Sequence, residues 1–181
     1  MTLVLKVEKG QDVSEETKSA ITDTVIALQT PEDHMQVTKE ESLAELTDFC
    51  SRPGSFLITG YIEEELISSI FILSAVHSRS VKNNGVLKTL LKNEDVDIGS
   101  VYLPAMIYVK PEHRGNGYGF TTEAKSREIA IENEYTHCMR MVAKTDEILS
   151  FYDHNYPVGE NIKDLKITDF LGGKIILEKI A

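Results

Sequence analysis

Three glycines alternate with other residues in a short segment that follows the most strand-like run of the chain. The segment is Arg114-Gly115-Asn116-Gly117-Tyr118-Gly119, and a helical pattern follows it. Glycine tolerates positive φ and lets the backbone approach a ligand closely. Consecutive amides that end at a helix N-terminus form a binding site for anions. The segment is therefore predicted to bind a phosphate or pyrophosphate group, with the guanidinium of Arg114 at its mouth as a fixed positive charge.

Two common phosphate-binding motifs do not fit this segment. A P-loop would continue with Gly-Lys-Ser or Gly-Lys-Thr, which is absent here. The dinucleotide motif has the spacing Gly-x-Gly-x-x-Gly, whereas Gly115, Gly117 and Gly119 are each two residues apart. A nucleotide-phosphate binder of either kind is thus disfavoured. A glycine-rich turn that binds nothing remains an alternative.

The motif Arg114-x-x-Gly117-x-Gly119 resembles the pyrophosphate motif Arg/Gln-x-x-Gly-x-Gly/Ala of GNAT acetyltransferases. The strand that ends Ile107-Tyr108-Val109, the link Lys110-Pro111-Glu112 and the pair Phe151-Tyr152 are also similar to that family. The likeness covers roughly residues 101–156, and the first hundred residues match only in the order of their elements.

The resemblance implies a single GNAT-like domain over residues 1–181. This domain would be α/β (α+β), with a mixed central sheet splayed between two parallel strands and helices on both faces. It implies an N-acetyltransferase that moves the acetyl group of acetyl-CoA to an amine of a small molecule, peptide or protein by direct attack. A catalytically inactive GNAT-like module that binds acyl-CoA or a partner protein is the alternative.

The resemblance also implies roles for particular residues. The pantetheine arm would bind the backbone of Ile107 and Val109, whose side chains are expected in the core. The pyrophosphate would bind Arg114 and the amides of Gly115, Asn116, Gly117, Tyr118 and Gly119. Thr145, where many relatives have Asn, would bond to the cofactor.

The resemblance assigns the residues for proton transfer only in part. Tyr152 would protonate the leaving thiolate, although its ring could equally serve as core packing. Some relatives carry a carboxylate base on the strand that begins at His137, but no Asp or Glu lies there or between Val101 and Val109. The base is left open between a water chain and an acid from the N-terminal half.

The elements that must position these residues follow from the hydrophobic periodicity. Helices are expected from Glu15 to about Leu28, after a capping box of Thr38 and Glu41, from Gly117 to Glu134, and from Asp146 to His154. Residues 86–91 could form a helix or a strand. Strands are expected at Thr2–Glu8, Ser55–Tyr61, Leu66–Val76, Val101–Val109, His137–Lys144 and Gly173–Ile180, with a solvated acidic turn at Glu63–Glu65.

The composition of the chain limits the kinds of partner it is expected to bind. The 181 residues include 41% hydrophobic side chains and carry a formal net charge of −10, which disfavours nucleic acid as a partner. An acidic surface favours a cationic acceptor. Cys50 and Cys138 lack metal-ligand spacing, so free thiols and no metal are expected. With no signal peptide or long apolar run in the sequence, a cytoplasmic protein off the membrane is expected. A homodimer stays open.

Overall fold

Eleven helices and strands make up the described part of the chain, which in the computed structural model comprises residues 2–27, 37–78, 81, 83–142, 162–164 and 174–181. The helices are α1 (Glu15–Ala27), α2 (Lys39–Ser51), α3 (Gly85–Asn93) and α4 (Tyr118–Glu132). The strands are β1 (Val4–Lys9), β2 (Phe56–Ile62), β3 (Glu65–Ser74), β4 (Val101–Val109), β5 (His137–Val142), β6 (Ile162–Asp164) and β7 (Lys174–Lys179).

Local sequence signals account for most of these bounds. The capping box at the start of α2 is confirmed, since the Glu41 amide donates to Thr38 Oγ1 over 3.1 Å and the Thr38 amide donates to Glu41 Oε2 over 2.8 Å. The undecided segment is the helix α3, where Asn84 Oδ1 accepts the Leu87 amide over 3.0 Å. Strand β6 is not expected from the sequence, and the expected helix at Asp146–His154 lies outside the described residues.

The strands form one mixed sheet in the order β1-β2-β3-β4-β5-β7-β6. Strands β1, β2 and β3 are antiparallel neighbours, and β7 is antiparallel to both β5 and β6. Strands β4 and β5 are parallel, through the pairs Val101↔His137 and Tyr102↔Cys138. The expected α/β architecture with a mixed sheet is confirmed, because a parallel pair joined through a helix occurs in the same sheet as antiparallel pairs.

The chain divides into two compact units, one of Met1–Leu73 with Ala105–Ser126 and the other of Ser74–Pro104 with Arg127–Ala181. The core of the first unit is formed by six buried side chains from α1, α2, β2, β3 and the turn before α1, namely Val13, Ile21, Leu46, Cys50, Leu57 and Phe71. The expectation of a single domain over the whole chain stays a prediction.

Helices cover both faces of the sheet in the first unit. Phe71 of β3 belongs to the core cluster that includes Ile21 of α1 and Leu46 of α2. Ser68, three residues earlier in β3, bonds instead to Thr122 of α4, with 2.7 Å between the two hydroxyl oxygens. Because residues an odd number apart in a strand point to opposite faces, α4 lies on the face opposite α1 and α2.

Within the second unit, an ion cluster joins the C-terminal part of α4 to β5 and β7. The carboxylate of Glu178 on β7 accepts from Arg127 of α4 and from Arg140 of β5, each over 2.8 Å. The Arg140 and Glu178 side chains are buried, so each charge depends on the other for stabilisation. Cys50 and Cys138 are both buried free thiols, as expected. Among the described helices none has the length and hydropathy needed to cross a bilayer.

Candidate functional site

Strand β4 loses its regular alternation at Met106. The backbone of Met106 has φ 51°, in the left-handed region that non-glycine residues seldom adopt. Ala105 and Met106 consequently pack against the same core cluster, although they are successive residues. Two successive side chains on one face are the mark of a bulge, which interrupts a strand and re-aims the residues that follow it.

The bulge corrects one expectation for the side chains. Ile107 was expected in the core but is 42% exposed, because Ala105 and Met106 take up the inward direction and turn Ile107 outward. Val109 is half-buried. The backbone of these two residues, which was expected to bind the cofactor arm, lies in the last three residues of β4, between the bulge and the glycine-rich segment.

The two residues at the end of β4 face opposite helices. Burial raises the pKa of the Tyr108 hydroxyl above its ordinary value, and a side-chain hydrogen bond with Thr24 of α1 acts in the opposite direction. Val109 lies against α4, since a Cβ added to Gly119 would be 3.0 Å from its Cγ2. A larger residue at position 119 would therefore push Val109 aside, and the glycine lets the first turn of α4 approach β4 this closely.

Left-handed glycines shape the loop between β4 and α4. After a 3-10 turn at Pro111–His113, Gly115 has φ +80° and Gly117 has φ +77°. A Cβ added at either glycine would meet nothing within 4 Å. Asn116 Nδ2 donates to the carbonyl of His113 over 3.0 Å, which holds the loop on itself. The two glycines thus leave open space beside the backbone.

Around the start of α4, six successive backbone amides have no hydrogen-bond acceptor in the described part of the chain. Among the described residues, the backbone N–H groups of residues 115–120 donate to no protein group. The bonding resumes with Thr121, whose amide donates to the carbonyl of Gly117 over 2.9 Å. Unpaired amides and the positive end of the helix dipole together favour an anion at this place.

Two cations lie at the rim of the loop. Arg114 is exposed, and its Nε donates to the carbonyl of Val109 over 3.2 Å. The ammonium of Lys110 contacts the carboxylates of Glu65 and Glu112, and these contacts raise its pKa. Because Lys110 is already paired with two carboxylates, Arg114 is the cation better placed to meet an added anion.

Hydroxyl bonds hold the first turns of α4 against β3. Thr122 Oγ1 donates to the carbonyl of Tyr118 over 2.8 Å, so the hydroxyl proton of the bond with Ser68 must come from Ser68. Ser68 and Thr122 are both buried. The start of α4, with its unpaired amides, is therefore fixed on the sheet by a specific polar contact as well as by packing.

The remaining expected residues, Thr145 and Tyr152, lie outside the described residues. Met106 and Tyr108 are features that sequence reasoning missed. Nothing in the residue type of Met106 signals a left-handed conformation. Tyr108 could have been noticed as the one hydroxyl-bearing residue of β4 after Tyr102, close to the glycine segment.

Comparison with known proteins identifies the fold. No family model matches the chain, and no curated protein is similar to it in sequence. Solved structures are similar over almost the whole chain. A GNAT-family acetyltransferase from Staphylococcus aureus Mu50 has a TM-score of 0.66 at 10% identity, over 98% of this chain and 100% of that one.

Two further structures show the same likeness. An acyl-CoA N-acyltransferase from Pseudomonas aeruginosa has a TM-score of 0.66 at 9% identity, covering 98% of this chain and 99% of that one. The PaiA N-acetyltransferase from Thermoplasma acidophilum, solved in complex with coenzyme A, has a TM-score of 0.62 at 15% identity, covering 97% and 99%. The chain therefore has the fold of the GNAT acetyltransferases.

Proposed function

We propose that this protein is an N-acetyltransferase that uses acetyl-CoA as the acyl donor and an amine of a small molecule, peptide or protein as the acceptor. The observation that carries the proposal is the run of unpaired amides from residue 115 to 120, which begins six residues after the end of β4. The likeness in fold to acetyltransferases, one of them solved with coenzyme A, supports it. A cytoplasmic location is part of the same proposal.

The loop fits the pyrophosphate of coenzyme A. A pyrophosphate is a compact dianion, and several aligned N–H groups at a helix start are suited to it. Open space beside Gly115 and Gly117 admits such a group. Ile107 and Val109, between the bulge and the loop, would offer backbone groups to the pantetheine arm, and Arg114 would add charge at the rim. Thr145 is proposed as a further contact.

Two proton transfers set the demands on catalysis. An alkyl ammonium has a pKa near 10, so only about one molecule in a thousand is a free amine at pH 7. The free amine attacks the thioester carbonyl directly, and the departing thiolate needs a proton. Tyr152 is proposed to supply that proton, because a phenol is protonated at pH 7 and can donate. The base is left open.

An inactive acyl-CoA-binding or protein-interaction module is the second candidate. One observation favours it: neither β4, Val101–Val109, nor β5, His137–Val142, carries an Asp or Glu that could serve as the base. Both candidates share the pyrophosphate loop, and only turnover separates them.

The first test is donor binding. Gly117→Val places a branched side chain in the open space beside the amides, and losing one or two hydrogen bonds to a charged group should weaken coenzyme A binding by about 10- to 100-fold or more. Isothermal titration calorimetry measures this change. Gly54→Val is the matched control, because Gly54 has φ 68° in a turn after α2 and its replacement carries the same backbone strain without touching the loop.

Three outcomes are distinguishable. Coenzyme A affinity that is unchanged in Gly117→Val contradicts the loop assignment. A wild-type protein that binds no coenzyme A contradicts the proposed function as a whole. A wild-type protein that binds acetyl-CoA but releases no thiol with any member of a panel of small, peptide and protein amines leaves the inactive module as the function.

A further inference from the structure

One aromatic ring stands out on the surface beside the loop. Large hydrophobic side chains that are exposed in the described residues are Val4, Val7, Val76, Ile107, Phe120 and Ile131. Phe120 is the aromatic member of this set and is 53% exposed. Single exposed apolar residues are common on protein surfaces, so exposure alone carries no meaning. The position of Phe120 beside the glycine-rich loop is what makes its exposure informative.

Phe120 lies in the first turn of α4, directly after Gly119, and its own amide is one of the six that have no acceptor in the described chain. Side chains on a helix lean toward its N-terminus and cover the preceding turn. The Phe120 ring is therefore directed toward the glycine-rich loop. The close approach of Gly119 to Val109 and the Ser68–Thr122 bond fix this turn on the sheet, so the ring is presented from a rigid support.

We infer that Phe120 is a stacking platform for the adenine of the acyl donor, an inference that rests on the proposed function. In coenzyme A the pyrophosphate joins the pantetheine arm to an adenosine. Once the pyrophosphate binds the amides of residues 115–120 and the arm follows the end of β4, the adenosine must leave on the side of the helix start. A base has a flat π-face, and an exposed ring held beside its phosphates provides a surface for it.

The loop has no other described aromatic with the same exposure. The rings of His113 and Tyr118 lie 6.2 Å apart at 44° and are both half-buried, so they pack on each other within the loop. The stacking role thus separates the donor site into two parts. The amides bind the charge, and Phe120 recognises the base.

The chain offers a matched control and a built-in reporter. Ile131 is 44% exposed on the same helix, eleven residues and about 16 Å along the axis from Phe120. The sequence contains no tryptophan, so Phe120→Trp introduces a single indole whose fluorescence adenine quenches on stacking. Ile131→Trp introduces the same fluorophore on the same helix, away from the loop.

The affinity test compares Phe120→Ala with wild type for three ligands: coenzyme A, adenosine 3′,5′-bisphosphate and 4′-phosphopantetheine. Loss of one base stack should weaken binding of the two adenine ligands by about 5- to 100-fold and leave 4′-phosphopantetheine, which has no adenine, unchanged. Ile131→Ala should bind all three as wild type does. Coenzyme A should quench Phe120→Trp and leave Ile131→Trp unaffected.

The inference is overturned if Phe120→Ala binds coenzyme A as wild type does, or if it loses 4′-phosphopantetheine to the same extent as the adenine ligands. The second result would mean that the ring supports the loop rather than the base. Either result leaves the proposed function standing as long as Gly117→Val weakens coenzyme A binding. Absence of binding by the wild-type protein would instead contradict the proposed function itself.

Discussion

Met106 sets the geometry of the candidate site although its side chain takes no part in it. A left-handed φ costs a non-glycine residue about 1–2 kcal/mol, and the packing of Ala105 and Met106 on the core offsets that cost. The conformation turns Ile107 outward and Tyr108 toward Thr24. A single residue thereby decides which side chains and which backbone groups the end of β4 presents.

Tyr152 carries the only catalytic assignment, and Tyr152→Phe tests it. The substitution removes one oxygen and keeps the ring. If the hydroxyl protonates the thiolate, saturated turnover should fall by about 100-fold or more while coenzyme A affinity stays as in the wild type. Steady-state thiol release and calorimetry on the same preparation measure the two quantities.

The opposite pattern would identify Tyr152 as a packing residue. In that case Tyr152→Phe would lower the free energy of unfolding by about 1 kcal/mol through a lost hydrogen bond, and turnover per folded molecule would persist. Denaturant unfolding of the variant beside wild type separates the two roles.

The β2–β3 hairpin turn is built from residues that do not suit it. Glu63 has φ 49° and Glu64 has φ 69°, so both central residues are left-handed, the requirement of a type I′ turn. Asn-Gly fits such a turn far better than Glu-Glu. The double change Glu63→Asn with Glu64→Gly should therefore raise the free energy of unfolding by about 1 kcal/mol, measured by urea denaturation.

Relief of charge repulsion at the acidic turn is the competing explanation for such a gain. The pair Glu63→Gln with Glu64→Gln removes the same two charges and leaves β-carbons at both left-handed positions. Equal stabilisation by the Gln pair and the Asn-Gly pair would show that charge, and not backbone conformation, limits the turn.

Neighbouring serines on β3 offer a second comparison at this scale. Ser68 is buried and donates to Thr122, whereas the buried Oγ of Ser69 has no partner among the described residues. Ser68→Ala should cost about 1 kcal/mol of stability, and Ser69→Ala should be neutral or stabilising, because it removes a buried hydroxyl that makes no bond. Thermal unfolding of both variants checks this, and equal losses would contradict the role given to Ser68.

At the scale of the whole molecule, hydrophobic periodicity and the capping signals predict the elements of the fold much better than they predict the geometry of the site. The alternation of apolar residues locates six of the seven described strands, β4 to the residue, and the capping box of Thr38 and Glu41 locates the start of α2. These signals are local, and the solved structures share the fold although only 9–15% of their residues are identical to this chain. The fold class follows from their order.

The details of the site depend on contacts between distant residues, which no local pattern encodes. The exposure of Ile107 follows from how Ala105 and Met106 pack on α1 and α2. The support of α4 on Ser68 joins residues 54 positions apart. The glycine loop was predictable because left-handed φ and close approach restrict the residue type directly.

The unpaired amides of residues 115–120 also determine how fast this segment exchanges its amide hydrogens with solvent. An N–H group without an acceptor exchanges its hydrogen for deuterium quickly, whereas one bonded to an anion is protected until the anion leaves. Deuterium uptake by this short stretch should therefore report occupancy of the proposed donor site without any amine substrate in the sample. Candidate donors of different acyl chain length can be ranked by mass spectrometry of a single peptide before the acceptor is known.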